Sequence, residues 1–207
     1  MSREKKEFPQ FILDPGNLLG KVNYGDIFGR NGPLHIEIGS GKGTFLVNQA
    51  RCLPGDNFIG IEWANRYYRF AVDRAGRWNL TNVRIIRADA ACFIRDFIPD
   101  SSVDFFHIYF PDPWPKRRHN KRRFFSAANV EQLIRCLKTG GQIRVATDFE
   151  EYFEQIKTVL SARAGILKQT DFLPADGAQV GEWVGSNFER KYIKENRPIY
   201  TIAVRKI

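Results

Sequence analysis

The chain has 207 residues, of which 43% are hydrophobic, with a net charge of +9 and a pI near 9.6. This length and composition predict one globular domain with a substantial core, and they exclude a globally disordered chain. No uncharged run approaches the length of a membrane span, and no apolar stretch follows the N-terminal MSREKKEFPQ. We therefore expect a cytoplasmic protein without a signal peptide or a membrane partner. The three cysteines are widely spaced and form no CxxC pair, which predicts neither a metal site nor a disulfide framework.

Residues 1–30 lack strong periodicity and are rich in glycine and proline, which predicts an irregular N-terminal arm. Residues 31–207 are expected to form a single domain, because short β-rich runs alternate there with amphipathic helical patterns. The five β-rich runs begin at Leu34, Asn57, Asn82, Ser102 and Gln142. A helical pattern that begins at Ala127 is expected to end at Gly140–Gly141 by a glycine cap.

A further β-rich segment, Ile199–Arg205, follows a polar and mixed stretch near the C-terminus. Strands that alternate with helices predict a doubly wound, mostly parallel α/β sheet with right-handed crossovers. The last strand is expected to close that sheet in the antiparallel direction.

A glycine-rich loop follows the first predicted strand, with Gly39, Gly41 and Gly43 at alternate positions. Glycines let the backbone turn sharply and approach a ligand closely, although GxGxG alone is shared by several classes of nucleotide-binding enzyme. The spacing departs from the GxGxxG dinucleotide fingerprint, and Glu37 precedes the first glycine by two positions. A carboxylate beside the loop suits a cationic ligand better than a diphosphate.

Two more acids follow the next two predicted strands, Glu62 after the second and Asp89 after the third. An acid at the end of the second strand can accept hydrogen bonds from a ribose diol, and the next can meet the exocyclic amine of an adenine. Three acids at successive strand ends therefore describe a pocket for a nucleoside that carries positive charge and no phosphate. S-adenosylmethionine fits this description.

The fourth predicted strand leads into FPDPWPKRRHNKRRFF, in which three alternating prolines hold Asp112 and Trp114. Proline lacks the N–H needed for a central strand, so the strand should stop here and continue as a stiff loop at the carboxyl edge of the sheet. Asp112 would then lie near the transferable methyl group, and Trp114 would offer a flat wall. A rigid loop that only packs against the core is the alternative.

Six cations and no acid lie between Lys116 and Arg123. A local excess of this kind favours a polyanionic partner, and Lys116, Arg117 and Arg118 are candidate contacts for RNA phosphates. A generally basic surface that only keeps the protein soluble is the other interpretation.

Six motifs, EIGSGKG, GIEW, RADA, FPDPWPKRRHNKRR, ATDFE and SNFERK, occur in the order found in bacterial tRNA (guanine-N(7)-)-methyltransferases. The sequence resembles this family from about Leu34 to Ile207, and the PDPWPK stretch is its most specific element. The resemblance implies a Rossmann-like class I methyltransferase fold with seven strands, S-adenosylmethionine as cofactor and tRNA as partner. It also implies guanine 46 of the variable region as the methylated base.

The resemblance implies that Glu37, Glu62, Asp89 and Asp112 contact the cofactor, with Asp112 also the catalytic acid. It implies that Lys116, Asp148 and the segment Ser186–Glu189 contact the substrate, and the last segment comprises Ser186, Asn187, Phe188 and Glu189. The family usually has Thr-Lys where this chain has Ser186-Asn187, so a hydroxyl is kept and a cation is lost.

Two of these residues have structural alternatives. Asp148 could cap a helix together with Glu151, and Glu189 could be a solvated ion-pair partner of Arg190 or Lys191. For Glu189, the functional interpretation is recognition of the two-donor Watson–Crick edge of guanine.

Two other functions remain open at the level of the sequence. One is an amino-group methyltransferase on nucleic acid, although Asp112-Pro113-Trp114 lacks the second adjacent proline typical of those enzymes. The other is a non-catalytic RNA-binding protein with the same fold. We expect a monomer, because no predicted helix offers an additional exposed apolar face.

Overall fold

The structure, a computed structural model, describes Lys6 and residues 8–207. Its core is a seven-stranded sheet with the strand order β3-β2-β1-β4-β5-β7-β6. The strands are β1 (Leu34–Ile38), β2 (Asn57–Ile61), β3 (Val83–Ile86), β4 (Val103–Tyr109), β5 (Leu137–Thr147), β6 (Leu167–Thr170) and β7 (Tyr200–Lys206). Strands β1 to β5 pair in parallel, whereas β7 is antiparallel to both β5 and β6. The predicted doubly wound sheet with an antiparallel C-terminal strand is confirmed.

The described residues form seven α-helices, of which the first precedes β1 and the other six each lie between two strands. They are α1 (Tyr24–Phe28), α2 (Thr44–Cys52), α3 (Asn65–Arg77), α4 (Ala90–Phe97), α5 (Ala127–Cys136), α6 (Glu150–Ser161) and α7 (Asn187–Lys194). Alternate side chains of each strand point to opposite faces of the sheet. One face packs against α4, α5 and α6, and the other against α2, α3 and the segment 171–186. Both faces are therefore buried, which explains the nearly continuous apolar runs of the central strands.

Helix α5 is shorter than the sequence predicts. It ends at Cys136, and β5 begins at once with Leu137. Gly140 and Gly141 lie inside β5, where Gly140 has φ +84° and the pairing with β4 shifts register. The prediction of a helix that ends at these glycines was wrong. The glycines allow an irregular backbone within β5 and do not cap a helix.

Part of the predicted N-terminal arm packs against the edge of the sheet. Phe11 is buried beside α3, and Ile12 forms a parallel bridge with Ile85 of β3. The Leu13 N–H donates to the Ile85 carbonyl at 3.0 Å, so this segment covers a strand edge that would otherwise expose unpaired backbone groups. Residues 1–5 and 7 of the arm lie outside the described residues, and the division into an arm and a single domain stays a prediction.

Candidate active site

The glycine loop turns the chain sharply from β1 into α2. Gly39, Gly41 and Gly43 have φ values of +73°, +55° and +68°, a region that residues with a Cβ rarely adopt. The N–H groups of Gly39 and Ser40 donate to the Ile61 carbonyl at 2.8 and 3.0 Å, which fixes the loop against the end of β2. The first two glycines line the cavities described below, whereas Gly43 packs against α3.

A cavity of about 240 Å³ lies between the glycine loop and the N-terminus of α7. Glu37 and Ser40 line it, and each is about 5% exposed. The Glu37 Oε2 and the Ser40 Oγ are buried without a hydrogen-bond partner among the described residues. Burial, with a contribution from the nearby Glu62 carboxylate, raises the pKa of Glu37 well above its usual range. A buried carboxyl group with a free oxygen fits a ligand that brings its own cationic donor, such as the ammonium group of S-adenosylmethionine.

A larger cavity of about 520 Å³ adjoins the loop on the other side, and Glu62, Asp89 and Asp112 all line it. The carboxylate of Glu62 accepts from Gly41 N–H at 2.8 Å and from Ala64 N–H at 2.7 Å. Each of its oxygens keeps a lone pair that can accept from a ribose hydroxyl. Asp89 is exposed at the N-terminus of α4, where its Oδ1 caps the helix through Cys92 N–H at 2.9 Å. Its other oxygen, Oδ2, has no partner among the described residues and can accept from a base.

Asp112 is exposed on the wall of the large cavity, and no described residue forms a hydrogen bond with its side chain. The loop that carries it leaves β4 at Phe110, whose N–H donates to the Ala146 carbonyl at 2.7 Å. Phe110 and Trp114 both have positive φ, +52° and +41°. Such conformations are costly for bulky residues and persist only where the surrounding structure imposes them.

The basic run divides into two groups. Lys116, Arg117 and Arg118 are exposed around a short 3-10 helix at Arg117–Arg122 and do not line either cavity. Lys121 and Arg122 are exposed and line the large cavity, and the Arg122 guanidinium lies 4.9 Å from the Trp114 ring centre. The five exposed cations are therefore available to a polyanion at the mouth of the cavity.

Arg123 is the exception, because it is 5% exposed and turned into the protein. Its guanidinium donates to the Pro113 carbonyl at 2.7 Å, to Gln155 Oε1 at 2.7 Å and to Glu151 Oε1 at 3.0 Å. The Arg123 guanidinium therefore does not face a polyanion at the cavity mouth but anchors the Asp112 loop to α6.

Two predicted substrate contacts, Asp148 and Glu189, line neither cavity. Asp148 pairs with Arg197, while the N-cap position of α6 is Phe149, without a side-chain cap. The helix-capping alternative for Asp148 was therefore wrong. The Asp148 carboxylate joins the start of α6 to the segment before β7.

The Glu189 side chain is completely buried and accepts three backbone hydrogen bonds. The donors are the N–H groups of Trp183, Val184 and Gly185, at 2.5, 3.0 and 2.7 Å. Arg190 pairs instead with Glu182, so the solvated ion-pair alternative was also wrong. Glu189 holds the loop that leads into α7.

The remaining predicted substrate residues lie at the N-terminus of α7. Ser186 caps the helix by accepting from Glu189 N–H at 3.1 Å, and together with Asn187 it lines the small cavity. Phe188 is 49% exposed and lines both cavities. Of the predicted substrate residues, Phe188 is therefore the one that lines both cavities.

Three aromatic residues of the site were not predicted from the sequence. Trp63 and Tyr67 line the large cavity and are 70% and 40% exposed, and Tyr109 lines both cavities from the end of β4. Trp63 directly follows Glu62, so its position at a strand end was a signal that the sequence did offer. No sequence pattern marks Tyr109 as a site residue, because it lies within a run of apolar strand residues.

A line of buried polar side chains runs from Tyr109 across the sheet. Its hydroxyl lies 2.8 Å from His107 Nδ1, the other ring nitrogen of His107 lies 3.0 Å from His35 Nδ1, and His35 Nε2 lies 3.0 Å from Asp56 Oδ2. Burial lowers the pKa of His35 to about 4, and burial also lowers the pKa of His107 well below its usual range. Both imidazoles are therefore neutral at pH 7.

Within the part of the chain that the structure describes, no group of three or more His, Cys, Asp or Glu side chains could hold a metal ion. No helix in that same part combines the length and apolarity needed to cross a bilayer.

Comparison with known proteins identifies the family. Residues 31–202 match the family model described as "Putative methyltransferase". The tRNA (guanine-N(7)-)-methyltransferase of Nitrosococcus oceani is 40% identical over 164 residues, or 79% of this chain and 69% of the relative. The protein of the same name from Paracidovorax citrulli is 36% identical over an alignment of 207 positions, which covers 96% of this chain and 78% of the relative. This chain belongs to the tRNA (guanine-N(7)-)-methyltransferase family.

Two solved structures with a similar fold are named as methyltransferases. A 16S rRNA methyltransferase, KamB, superposes with a TM-score of 0.64 at 15% identity, covering 89% of this chain and 92% of that one. A SAM-dependent methyltransferase from Aquifex aeolicus gives a TM-score of 0.57 at 15% identity, covering 88% and 87%. The fold is that of class I methyltransferases, and the cofactor of this family member is S-adenosylmethionine.

Proposed function

We propose that this methyltransferase transfers a methyl group from S-adenosylmethionine to N7 of a guanine in tRNA, and that the target is guanine 46 of the variable region. The observation that carries the proposal is Asp112, an exposed carboxylate on the same cavity wall as the cofactor acids Glu62 and Asp89. The names of the relatives, at 36 and 40% identity, support tRNA guanine N7 as the acceptor. The resemblance of the PDPWPK stretch supports the position in the tRNA.

Guanine N7 already carries a lone pair, so the transfer needs alignment and electrostatic stabilisation rather than a general base. When bound, S-adenosylmethionine would supply an electrophilic methyl group, with the electron pair of the broken S–CH3 bond staying on its sulfur. Positive charge accumulates on the guanine as the new bond forms, and the carboxylate of Asp112 stabilises that charge. Phe110 and Trp114, held in their left-handed conformations, keep Asp112 at a fixed place on the wall.

The exposed cations hold the RNA. Lys116, Arg117 and Arg118 contact phosphates around the entrance, where their charge is not neutralised by acids of the loop. Phe188 offers its exposed ring to the target base, and Ser186 and Asn187 offer polar groups in the adjoining small cavity.

The substrate contacts of Asp148 and Glu189 stay predictions. Asp148 would have to give up Arg197, and Glu189 would have to release three backbone N–H groups, before either could meet a guanine. We also propose that the enzyme works as a monomer in the cytoplasm, where its substrate would be found.

The test is transfer of a radiolabelled methyl group to an unmodified tRNA transcript, followed by nucleoside mapping. The label should appear as 7-methylguanosine. A matched transcript with adenine in place of guanine 46 should accept no label. A methyl group on an exocyclic nitrogen would overturn N7 as the acceptor, whereas labelled 7-methylguanosine from the adenine transcript would overturn only the position.

A further inference from the structure

Helix α3 carries an outward face that is strongly basic. Ala71, Val72 and Ala75 are buried against the core, so the opposite side of the helix points to solvent. Four arginines occupy the solvent side and its flanks: Arg66, Arg69, Arg74 and Arg77. The segment Trp63–Trp78 contains these four cations and only one acid, Asp73. The function described above does not account for this charge.

The single acid of the segment is already engaged. Asp73 accepts from Arg77 Nε at 2.8 Å and from the Lys6 backbone N–H at 2.9 Å. Arg66 and Arg69 are exposed, and no carboxylate of a described residue forms an ion pair with either. The outward face of α3 therefore presents uncompensated positive charge.

Exposed aromatic rings stand at both ends of the same segment. Trp63 is 70% exposed at one end, and Trp78 is 53% exposed at the other. The Arg51 guanidinium stacks 3.7 Å from the Trp78 ring centre, and the Lys42 ammonium lies 5.4 Å from that of Phe70. Arginines interleaved with exposed aromatic rings suit an RNA backbone whose unstacked bases lie on those rings.

This surface is continuous with the active site. Trp63 and Tyr67, the first aromatic residues of the segment, line the same cavity as Asp112. Lys121 and Arg122 of the basic loop line it as well. The mouth of the cavity thus has basic and aromatic residues from two separate parts of the chain.

We propose that the surface formed by Trp63, between β2 and α3, and by Arg66, Tyr67 and Arg69 of the first turns of α3 is a second docking surface for the tRNA substrate. Arg66 and Arg69 hold phosphates, and Trp63 stacks on a base displaced from its helix near the target guanine. The α3 helix has 13 residues, and at 1.5 Å per residue it offers a surface about 20 Å long. The proposal rests on the proposed function, because it takes the partner from there.

The experiment compares two double variants for binding of an unmodified tRNA transcript in the absence of cofactor. Arg66→Ala with Arg69→Ala should raise the Kd by roughly tenfold and reduce the slope of log K against log salt by about 1 to 2. Lys168→Ala with Arg205→Ala is the matched control, since these exposed cations lie on β6 and β7 at the far edge of the sheet. The control should change the Kd by less than about twofold.

The aromatic contact is tested by a second pair of variants. Trp63→Ala should raise the Kd for the tRNA by at least about fivefold, and Trp63→Phe should recover most of the loss because a flat ring remains. Circular dichroism of each variant establishes that the fold is kept.

Failure of this proposal is distinct from failure of the proposed function. If Arg66→Ala with Arg69→Ala binds and methylates tRNA like the far-edge control, the docking surface is wrong while the activity stands. If the unaltered protein neither methylates nor binds tRNA, the proposed function is wrong. In that case tRNA is also not the partner of this surface.

Discussion

At the scale of single residues, the position of Asp112 depends on the contacts that hold its neighbours in place. Phe110 and Trp114 adopt left-handed conformations on either side of it, and Arg123 fixes the carbonyl of Pro113 between them. Each left-handed bulky residue costs on the order of 1 kcal/mol or more, so the loop keeps this shape only because the rest of the structure imposes it. The carboxylate is thereby placed on the cavity wall before any ligand arrives, which reduces reorganisation during the reaction.

Asp112→Asn keeps the shape of the side chain and removes its charge. We expect kcat for methyl transfer to fall by about 10²- to 10³-fold, because the developing positive charge on guanine loses its carboxylate. The Kd values for S-adenosylmethionine and tRNA should stay within about threefold, since most binding contacts lie elsewhere. Single-turnover kinetics and calorimetry measure these quantities, and a near-normal turnover would remove Asp112 from the mechanism.

At the scale of elements, the basic run from Lys116 to Arg123 divides into exposed cations and one buried arginine. Lys116, Arg117 and Arg118 surround a short exposed 3-10 helix, whereas Arg123 ties the loop to α6 through Gln155 and Glu151. Glu151 is itself largely exposed, so most of the stabilisation comes from the buried bonds to Pro113 and Gln155. The exposed cations can bind RNA because Arg123, and not one of them, anchors the loop to α6.

Variants of the two groups should therefore separate stability from RNA binding. Arg123→Ala should lower the free energy of unfolding by about 2–4 kcal/mol, because it leaves buried acceptors without a donor. Arg117→Ala with Arg118→Ala should change stability by less than about 0.5 kcal/mol and weaken tRNA binding with a smaller salt slope. Urea unfolding and tRNA titrations at several salt concentrations provide the comparison. Equal loss of stability in both variants would contradict this division.

At the scale of the whole molecule, the sheet places a polar layer inside its α2 face. His35, His107 and Tyr109 link Asp56 at one end of the strands to the cavities at the other. Phe45 of α2 packs its ring against His107 and Tyr109 and excludes water from them. A satisfied network of this kind stabilises the fold only while both imidazoles remain neutral.

This layer predicts a pH dependence of stability. In the folded protein the pKa of His35 is lowered to about 4 and that of His107 is also lowered, whereas in the unfolded chain both titrate near 6.5. Below about pH 6.5 the unfolded chain therefore binds protons that the folded protein does not. Stability should be fully present above that pH and fall as the pH approaches 4, by at most about 1.4 kcal/mol per pH unit for each imidazole.

Urea unfolding between pH 7.5 and 5 measures this slope. His107→Gln should reduce it by up to about 1.4 kcal/mol per pH unit. An unaltered slope in His107→Gln would show that the buried imidazole is not the group that titrates.

How much the sequence reveals depends on whether a feature is local. The order of β1 to β5 and β7, the glycine loop and the positions of Glu62 and Asp89 at strand ends could be predicted, because periodicity and adjacency along the chain determine them. Strand β6 and helix α7 could not, because they lie in a stretch without clear periodicity. The end of α5 could not be predicted, because Gly140 and Gly141 are equally compatible with a helix cap and with an irregular strand. Pairing with β4 selected the strand.

Fold class and the edge of the sheet that carries the candidate site follow from the sequence, because parallel strands bring their carboxyl ends to one edge whatever their exact lengths. Which charged groups remain free of partners depends on contacts made in the folded protein. Arg197 engages Asp148, the 183–185 backbone engages Glu189, and Arg123 turns inward to Gln155. Apart from the bonds of Glu189, these contacts join residues 32 or more positions apart. Their formation depends on which surfaces the folded core brings together, and no pattern within a single segment records that.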